Sequence, residues 1–200
     1  MTRRPYHHGD LRAALVEAAS ALLETEGAAA LSLRRVARAA GVSHAAPYRH
    51  FRDKHALLEA VAAAGFRVLE DRLEDLEQRF TGDPRRQILE ACRAYVAEAV
   101  ARPERAHLMF GGILDPARRS DELHAAIEES FAALVATVRR GEGVLFRDLP
   151  TRDLVLTLWS ATHGLALLAA AGQLHDLDRT TDPEAAIERV LGHVFDGLAR

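Results

Sequence analysis

The chain of 200 residues has a single cysteine, Cys92, so an internal disulfide and a bridge-held scaffold are both excluded. An apolar leader is also missing: Met1 to Tyr6 are followed by His7, His8, Gly9 and Asp10, which sets the expectation of a protein of the reducing cytoplasm. No stretch alternates apolar and polar residues for long enough to require a strand. Long apolar runs are scarce. The nearest, Leu154 to Gly172, carries Thr157, Ser160, Thr162 and His163 in its middle and sits at the lower length limit for a bilayer, so it reads as a buried helix and no membrane partner is expected. Catalytic signatures are lacking: there is no H-E-x-x-H, C-x-x-C, G-x-S-x-G or phosphate loop, and Gly9, Gly27, Gly41 and Gly65 stand alone. Neither an enzyme nor a cofactor is expected.

What is present is ordinary globular material, 48% apolar and 28% charged, which excludes disorder. The net charge of -3 conceals an asymmetry: residues 1–55 hold nine Lys+Arg against five Asp+Glu, and the remainder holds seventeen against twenty-four. A short basic module facing a polyanion and a larger acidic body would look like this.

Apolar residues recur at helical spacing from end to end, which predicts an all-α fold of nine helices. Asp10 can cap a first helix with Leu11, Leu15, Ala18 and Leu22 on one face, ending at Gly27. Ser32 caps a short second helix with Leu33, Val36, Ala37 and Ala40; after Gly41-Val42, Ser43 caps a third that ends near Phe51. Asp53 opens a long helix ending near Phe80, with Leu58, Val61, Gly65, Val68 and Leu76 in register, and Asp83-Pro84 caps the next, carrying Ile88, Cys92, Tyr95, Val96 and Ala99. Further helices are expected from Pro103 to Phe110, from Asp121 through Val138, from Pro150 to Gly172 and after Asp182-Pro183. The domain boundaries that follow are 1–52, a connecting helix 53–80, and a body 81–200.

Leu33 to Phe51 has the spacing of a helix-turn-helix: Ala37 is small where the two helices cross, Gly41 tolerates the positive φ of the turn, and Val36, Ala40, Val42 and Pro47 face inward. The second helix would enter the major groove, giving Ser43, His44, Ala45, Ala46 and Arg49 the base edges and Tyr48, His50 and Lys54 the phosphates. Lys54 stands alone as lysine among the basic residues and begins the helix after the recognition helix, beside its C-terminal end.

Residues 11–58 resemble the DNA-binding domain of the tetracycline-repressor (TetR) family through Ser32-Leu33-Arg34-Arg35-Val36-Ala37-Arg38-Ala39-Ala40-Gly41-Val42-Ser43, Tyr48-Arg49-His50-Phe51, Asp53-Lys54 and Leu57-Leu58. Trp159 with His163-Gly164 is similar to the W-x-x-x-H-G signature of one C-terminal subclass. The resemblance implies a homodimeric regulator with an N-terminal three-helix DNA-binding domain, Ser32 and Arg34 joining the DNA-contacting set, and a C-terminal domain for dimerisation and a small-molecule inducer. Two departures stand out: Ala45 where glycine is frequent and Pro47 where leucine is usual. Pro47 lacks an N–H, so a bent or tightened first turn of the recognition helix is expected.

Trp159 and His163 lie one helical turn apart and so share a face, where they would line the inducer pocket with Cys92, Tyr95, His107, Phe110 and Phe131. Dimerisation is expected through the last two long helices. Two other readings carry their own tests. A metal or haem sensor would need His107, His124 and His163 to meet Cys92 in the interior, and an interaction module would bind neither DNA nor ligand.

Overall fold

In a computed structural model of the chain, residues 11–146, 149–174 and 183–198 are described; Asp10 and Asp182, expected as caps, lie outside them. The described residues form α1 (Leu11–Ala30), α2 (Leu33–Ala39), α3 (Lys54–Arg79), α4 (Pro84–Ala101), α5 (Pro103–Phe110), α6 (Asp121–Arg139), α7 (Thr151–Ala170) and α8 (Pro183–Leu198). Single 3-10 turns occupy Pro47–Arg49 and Pro116–Arg118. The fold is all-α, with eight α-helices among the described residues where nine were expected. The missing one is the third, whose place the turn at Pro47–Arg49 takes.

Packing separates two compact units. The first comprises residues up to Gly65 with Glu104–His124, the second Phe66–Pro103 with the residues from Ala125 on. Packing thus divides α3 at Gly65, whereas the boundaries read from the sequence follow element ends.

In the first unit, α1 buries Leu15, Val16, Ala19 and Leu23, a stripe rotated slightly from the expected one, which leaves Leu11, Ala18 and Leu22 half-buried. Gly27 breaks the helical path at φ 74° and ψ 164°, a conformation that only glycine adopts at little cost. Cations take up main-chain carbonyls beyond the break: Lys54 Nζ donates to Ala29 O at 2.8 Å and the Arg35 guanidinium to Ala30 O at 3.4 Å, while Arg35 also pairs with Glu26. Ser32 caps α2 by accepting from the Arg35 N–H, and Asp53 caps α3 by accepting from the Ala56 N–H at 2.8 Å; such caps contribute about 1 kcal/mol each. That hydrogen bond holds the Asp53 carboxyl below its usual range, with Arg52, His55 and Arg118 adding to the effect against desolvation.

Two carboxylates seat the later segment of this unit. Glu24 of α1 accepts the N–H groups of Glu104 (3.2 Å) and Arg105 (3.0 Å), and Glu59 of α3 accepts that of Ser120 (2.9 Å). Arg12 pairs with Glu122, and α3 approaches α5 so closely that a side chain at Gly65 would collide with Met109 Sδ.

The second unit is built on α4 against α7, with α8 packed on both. Its core joins Ile88, Val138, Phe146, Leu154, Val155, Leu158, Phe195 and Leu198, and fully burying each such side chain is worth roughly 1.5–3 kcal/mol. A polar knot closes one end: buried Gln87 donates to Phe80 O (2.9 Å) and accepts from Arg140 Nε (3.1 Å), and Arg140 also reaches Thr137 (3.1 Å) and Glu77 (3.0 Å). Among the described helices α7 alone is long and apolar enough to cross a membrane, with mean hydropathy 1.3. One face buries Leu154, Val155, Leu158, Thr162, Leu165 and Ala166, and the other leaves Leu156, Leu167 and Leu168 exposed. The expectation of a buried helix therefore holds for one face.

Candidate nucleic-acid interface and ligand site

The helix-turn-helix forms at its expected place with an altered second element. Val36, Ala37 and Pro47 are buried, Ala40 and Val42 half-buried, and Gly41 turns the chain at φ 70°. An α-helix from Ser43 to Phe51 is not formed. Pro47 cannot donate to Ser43 O, which instead accepts from Ala46 N at 3.0 Å, and the same three-residue spacing continues in Arg49 N to Ala46 O (3.2 Å) and His50 N to Pro47 O (3.0 Å). Phe51, 2% exposed, anchors the end of the segment, with the Arg12 guanidinium 5.3 Å above its ring.

This tight segment presents Ser43, His44, Ala45, Tyr48, Arg49 and His50 to solvent, while Ala46 is half-buried. Ser32, half-buried, is occupied by its cap. Arg34 and Arg38, one turn apart on α2, are exposed and, like Arg49, make no ion pair among the described residues; Arg35 and Arg52 are paired with Glu26 and Asp53. Arg38 was missed in the sequence, although its spacing from Arg34 places it on the same helix face. Lys54, expected at a phosphate, already spends one donor on Ala29 O, which leaves its charge and remaining donors at the start of α3.

The expected pocket residues divide between the two units. His107, exposed, and Phe110, half-buried, belong to the first. The second brings the others together on facing helices: Tyr95 Oη lies 2.8 Å from His163 Nδ1, the Phe131 and Trp159 rings meet edge to face at 5.2 Å, and Trp159 and His163 stand 5.8 Å apart. Burial pushes the Tyr95 phenol far up, with a Trp159 hydrogen bond opposing, and lowers the His163 imidazole. Both groups are therefore uncharged near neutrality and share one hydrogen bond, in which the imidazole tautomer sets which of the two donates. Burial also raises the Cys92 thiol, opposed by its hydrogen bond with Thr162. Thr162, buried and donating to Leu158 O at 2.7 Å, was not singled out in the sequence because helical threonines commonly bond back in this way. Among the described residues no three His, Cys, Asp or Glu side chains are grouped to hold a metal, and His107 and His124 lie in the first unit while His163 and Cys92 lie in the second.

Residues 15–61 match the family described as bacterial regulatory proteins of the tetR family, and residues 88–194 match the tetracyclin repressor-like C-terminal domain. The chain belongs to the TetR family. As a TetR-family protein it is a ligand-responsive, DNA-binding transcription regulator of the helix-turn-helix type. A protein of unknown function from Rhodococcus sp. RHA1 is 33% identical, with TM-score 0.84 over 99% of this chain and 100% of that one. A TetR family transcription regulator from Marinobacter aquaeolei VT8 shares the fold at 24% identity and TM-score 0.69, covering 94% of this chain and 95% of the other. The regulator FadR from Bacillus subtilis, in complex with stearoyl-CoA, does so at 14% identity and TM-score 0.69, over 93% and 98%. No curated protein matches the chain.

Proposed function

We propose that this TetR-family regulator is a cytoplasmic homodimeric repressor that is released from its operator by an uncharged, largely apolar compound bound in the second unit. The observation that carries the reading is the Tyr95 to His163 hydrogen bond set among Phe131 and Trp159. A neutral imidazole and a protonated phenol offer hydrogen bonds without charge, and the surrounding rings favour apolar surface over an anion. The pocket therefore narrows to Cys92, Tyr95, Phe131, Trp159 and His163, with Thr162 added.

On the DNA side, Ser43, His44, Ala45, Ala46 and Arg49 read base edges, while Ser32, Arg34, Arg38, Tyr48, His50 and Lys54 hold the backbone. The dimer forms through the exposed face of α7 together with α8, where Leu156, Leu167, Leu168 and Val190 stay 38–48% exposed in the single chain. Two copies would cover this surface in a four-helix contact. Repression follows from linkage: a compound that prefers the conformation with wrongly spaced recognition segments lowers operator affinity by the ratio of its two affinities.

Duplexes selected by the protein from fragmented genomic DNA supply the operator, and a gel shift against a library of neutral aromatic and aliphatic compounds supplies the test. Trp159 is the sole tryptophan, so its emission reports the site directly. A releasing compound should change that emission with the midpoint of release, and His163→Ala should weaken the compound more than it lowers Tm. Release with unmoved emission and a normally responding His163 variant places the pocket elsewhere.

A further inference from the structure

The recognition segment is pinned by two buried side chains, Pro47 and Phe51, and its exposed residues lie around them. Of these, Ser43, His44, Arg49 and His50 carry hydrogen-bonding groups suited to a base edge or a phosphate. Ala45, also exposed, carries only a methyl group. Tyr48 is 53% exposed, and among the described residues it is the only Phe, Tyr or Trp classed as exposed. An aromatic ring with an apolar body and a polar tip gains most where a partner covers the body and meets the tip, and the partner of this surface is duplex DNA.

The backbone register brings Ala45 and Tyr48 together. The bonds from Ala46 N to Ser43 O, Arg49 N to Ala46 O and His50 N to Pro47 O each span three residues. At three residues per turn, side chains three apart stand in one row, separated by about 6 Å of rise. In an α-helix the same two would be rotated about 60° from one another. The tightening that Pro47 imposes thus sets the Tyr48 ring in line with Ala45, whose small side chain leaves a notch beside the ring. A notch without a hydrogen-bonding group accepts only a small apolar projection. Among the base edges of the major groove, the C5-methyl group of thymine is the one such projection. Ala45 stands where the family often has glycine, so the methyl half of this notch belongs to this chain and not to the fold.

We infer that Ala45 and the ring of Tyr48 read the C5-methyl group of one pyrimidine in the operator. The operator then carries thymine at that position, and 5-methylcytosine, which presents the same methyl group, is accepted in its place better than cytosine. The Tyr48 hydroxyl stays available for the phosphate proposed for it. The inference rests on the DNA-binding reading of this segment and refines it.

Replacing thymine by deoxyuridine tests this directly, because it removes the methyl group and keeps every hydrogen-bonding atom of the base. A duplex selected by the wild-type chain from a random-sequence library is prepared with deoxyuridine at each thymine in turn, and affinity is read by gel shift. At the position that responds, cytosine and 5-methylcytosine are compared as well. Burying one methyl-sized group corresponds to about a fourfold change in an equilibrium constant, which is the loss expected for deoxyuridine against thymine and for cytosine against 5-methylcytosine. Ala45→Gly should bind the methylated and unmethylated duplexes alike. Tyr48→Phe should keep the methyl preference while binding both more weakly, and Tyr48→Ala should lose the preference. No thymine at which deoxyuridine weakens binding overturns the inference, as does 5-methylcytosine binding no better than cytosine. A full methyl preference in folded Ala45→Gly also overturns it, since the methyl group would then act through DNA shape or another residue. In each of these cases a duplex is still selected and DNA binding stands; if no duplex is selected at all, that reading falls and takes the inference with it.

Discussion

Around the helix-turn-helix, side chains from one helix repeatedly take up main-chain atoms of another segment: Lys54 and Arg35 on the carbonyls of Ala29 and Ala30, Glu24 and Glu59 on the N–H groups of Glu104, Arg105 and Ser120. In the second unit the helices meet through rings and aliphatic side chains, and polar contacts gather at the Gln87 and Arg140 knot and at the Tyr95 and His163 pair. Directional bonds to main chain fix where a backbone lies, as a surface that must match DNA requires. Apolar packing is less directional, and it tolerates the exchange of one uncharged molecule for another.

The largest expected effect breaks the second unit. A chain ending before Asp182 loses α8 with buried Leu191, Phe195 and Leu198, and should become a monomer or an aggregate by light scattering. Without the dimer the two half-sites are no longer bound as one, and operator affinity should fall by about two orders of magnitude or more. A well-behaved dimer from the shortened chain would falsify the assignment of the interface.

Next comes the recognition segment. Arg49→Ala should cost about 1–3 kcal/mol at the preferred operator and relax preference at one base position per half-site, measured by binding to a panel of single-base variants. A uniform loss over the panel would move Arg49 to the backbone set. Lys54→Ala tests the same surface from the electrostatic side. Losing one phosphate contact per subunit makes the slope of log K against log salt shallower by about two units for the dimer. An unchanged slope with a lowered Tm would confine Lys54 to its bond with Ala29.

The smallest effect belongs to His163. Its folded pKa lies below the ordinary histidine value of 6.5 because burial disfavours the charged ring. The unfolded chain therefore binds the proton more readily: stability is full above about pH 6.5 and declines as pH falls through that value toward the folded pKa. Protonation also leaves His163 Nδ1 able only to donate, so Tyr95 Oη must then accept. His163→Gln should flatten this part of a Tm against pH curve, and Tyr95→Phe should cost about 1 kcal/mol at neutral pH. A wild-type curve that stays as flat as that of the Gln variant between pH 7 and 5 would remove His163 as the group responsible.

The sequence reported helices well because their signals are local. Ser32, Asp53 and Asp83 each cap the helix they were expected to cap, and Gly27 and Gly41 turn the chain where glycine was needed. Pro47 was legible as a perturbation but not in its extent, since a tightened first turn and a recognition element reduced to one 3-10 turn differ only in hydrogen bonds that depend on the neighbouring helices. Trp159 and His163 were read together from their spacing on one helix, whereas Cys92, Tyr95, His107, Phe110 and Phe131 were grouped with them for their chemistry, and of these His107 and Phe110 lie in the other unit. Glu24 and Glu59 went unread. A buried charge inside an apolar run was the available signal for Glu59, but its partner is a main-chain N–H some sixty residues away in the chain, and no side-chain pattern marks that.

The solitary lysine has a practical consequence for labelling. Amine-directed reagents meet a single side-chain target, and it stands at the first residue of α3, engaged by Ala29 O. Acylation there would replace an ammonium by a neutral amide at one defined place, so labelling stoichiometry, mass shift and protection by bound duplex can be counted for that residue without mutating any other.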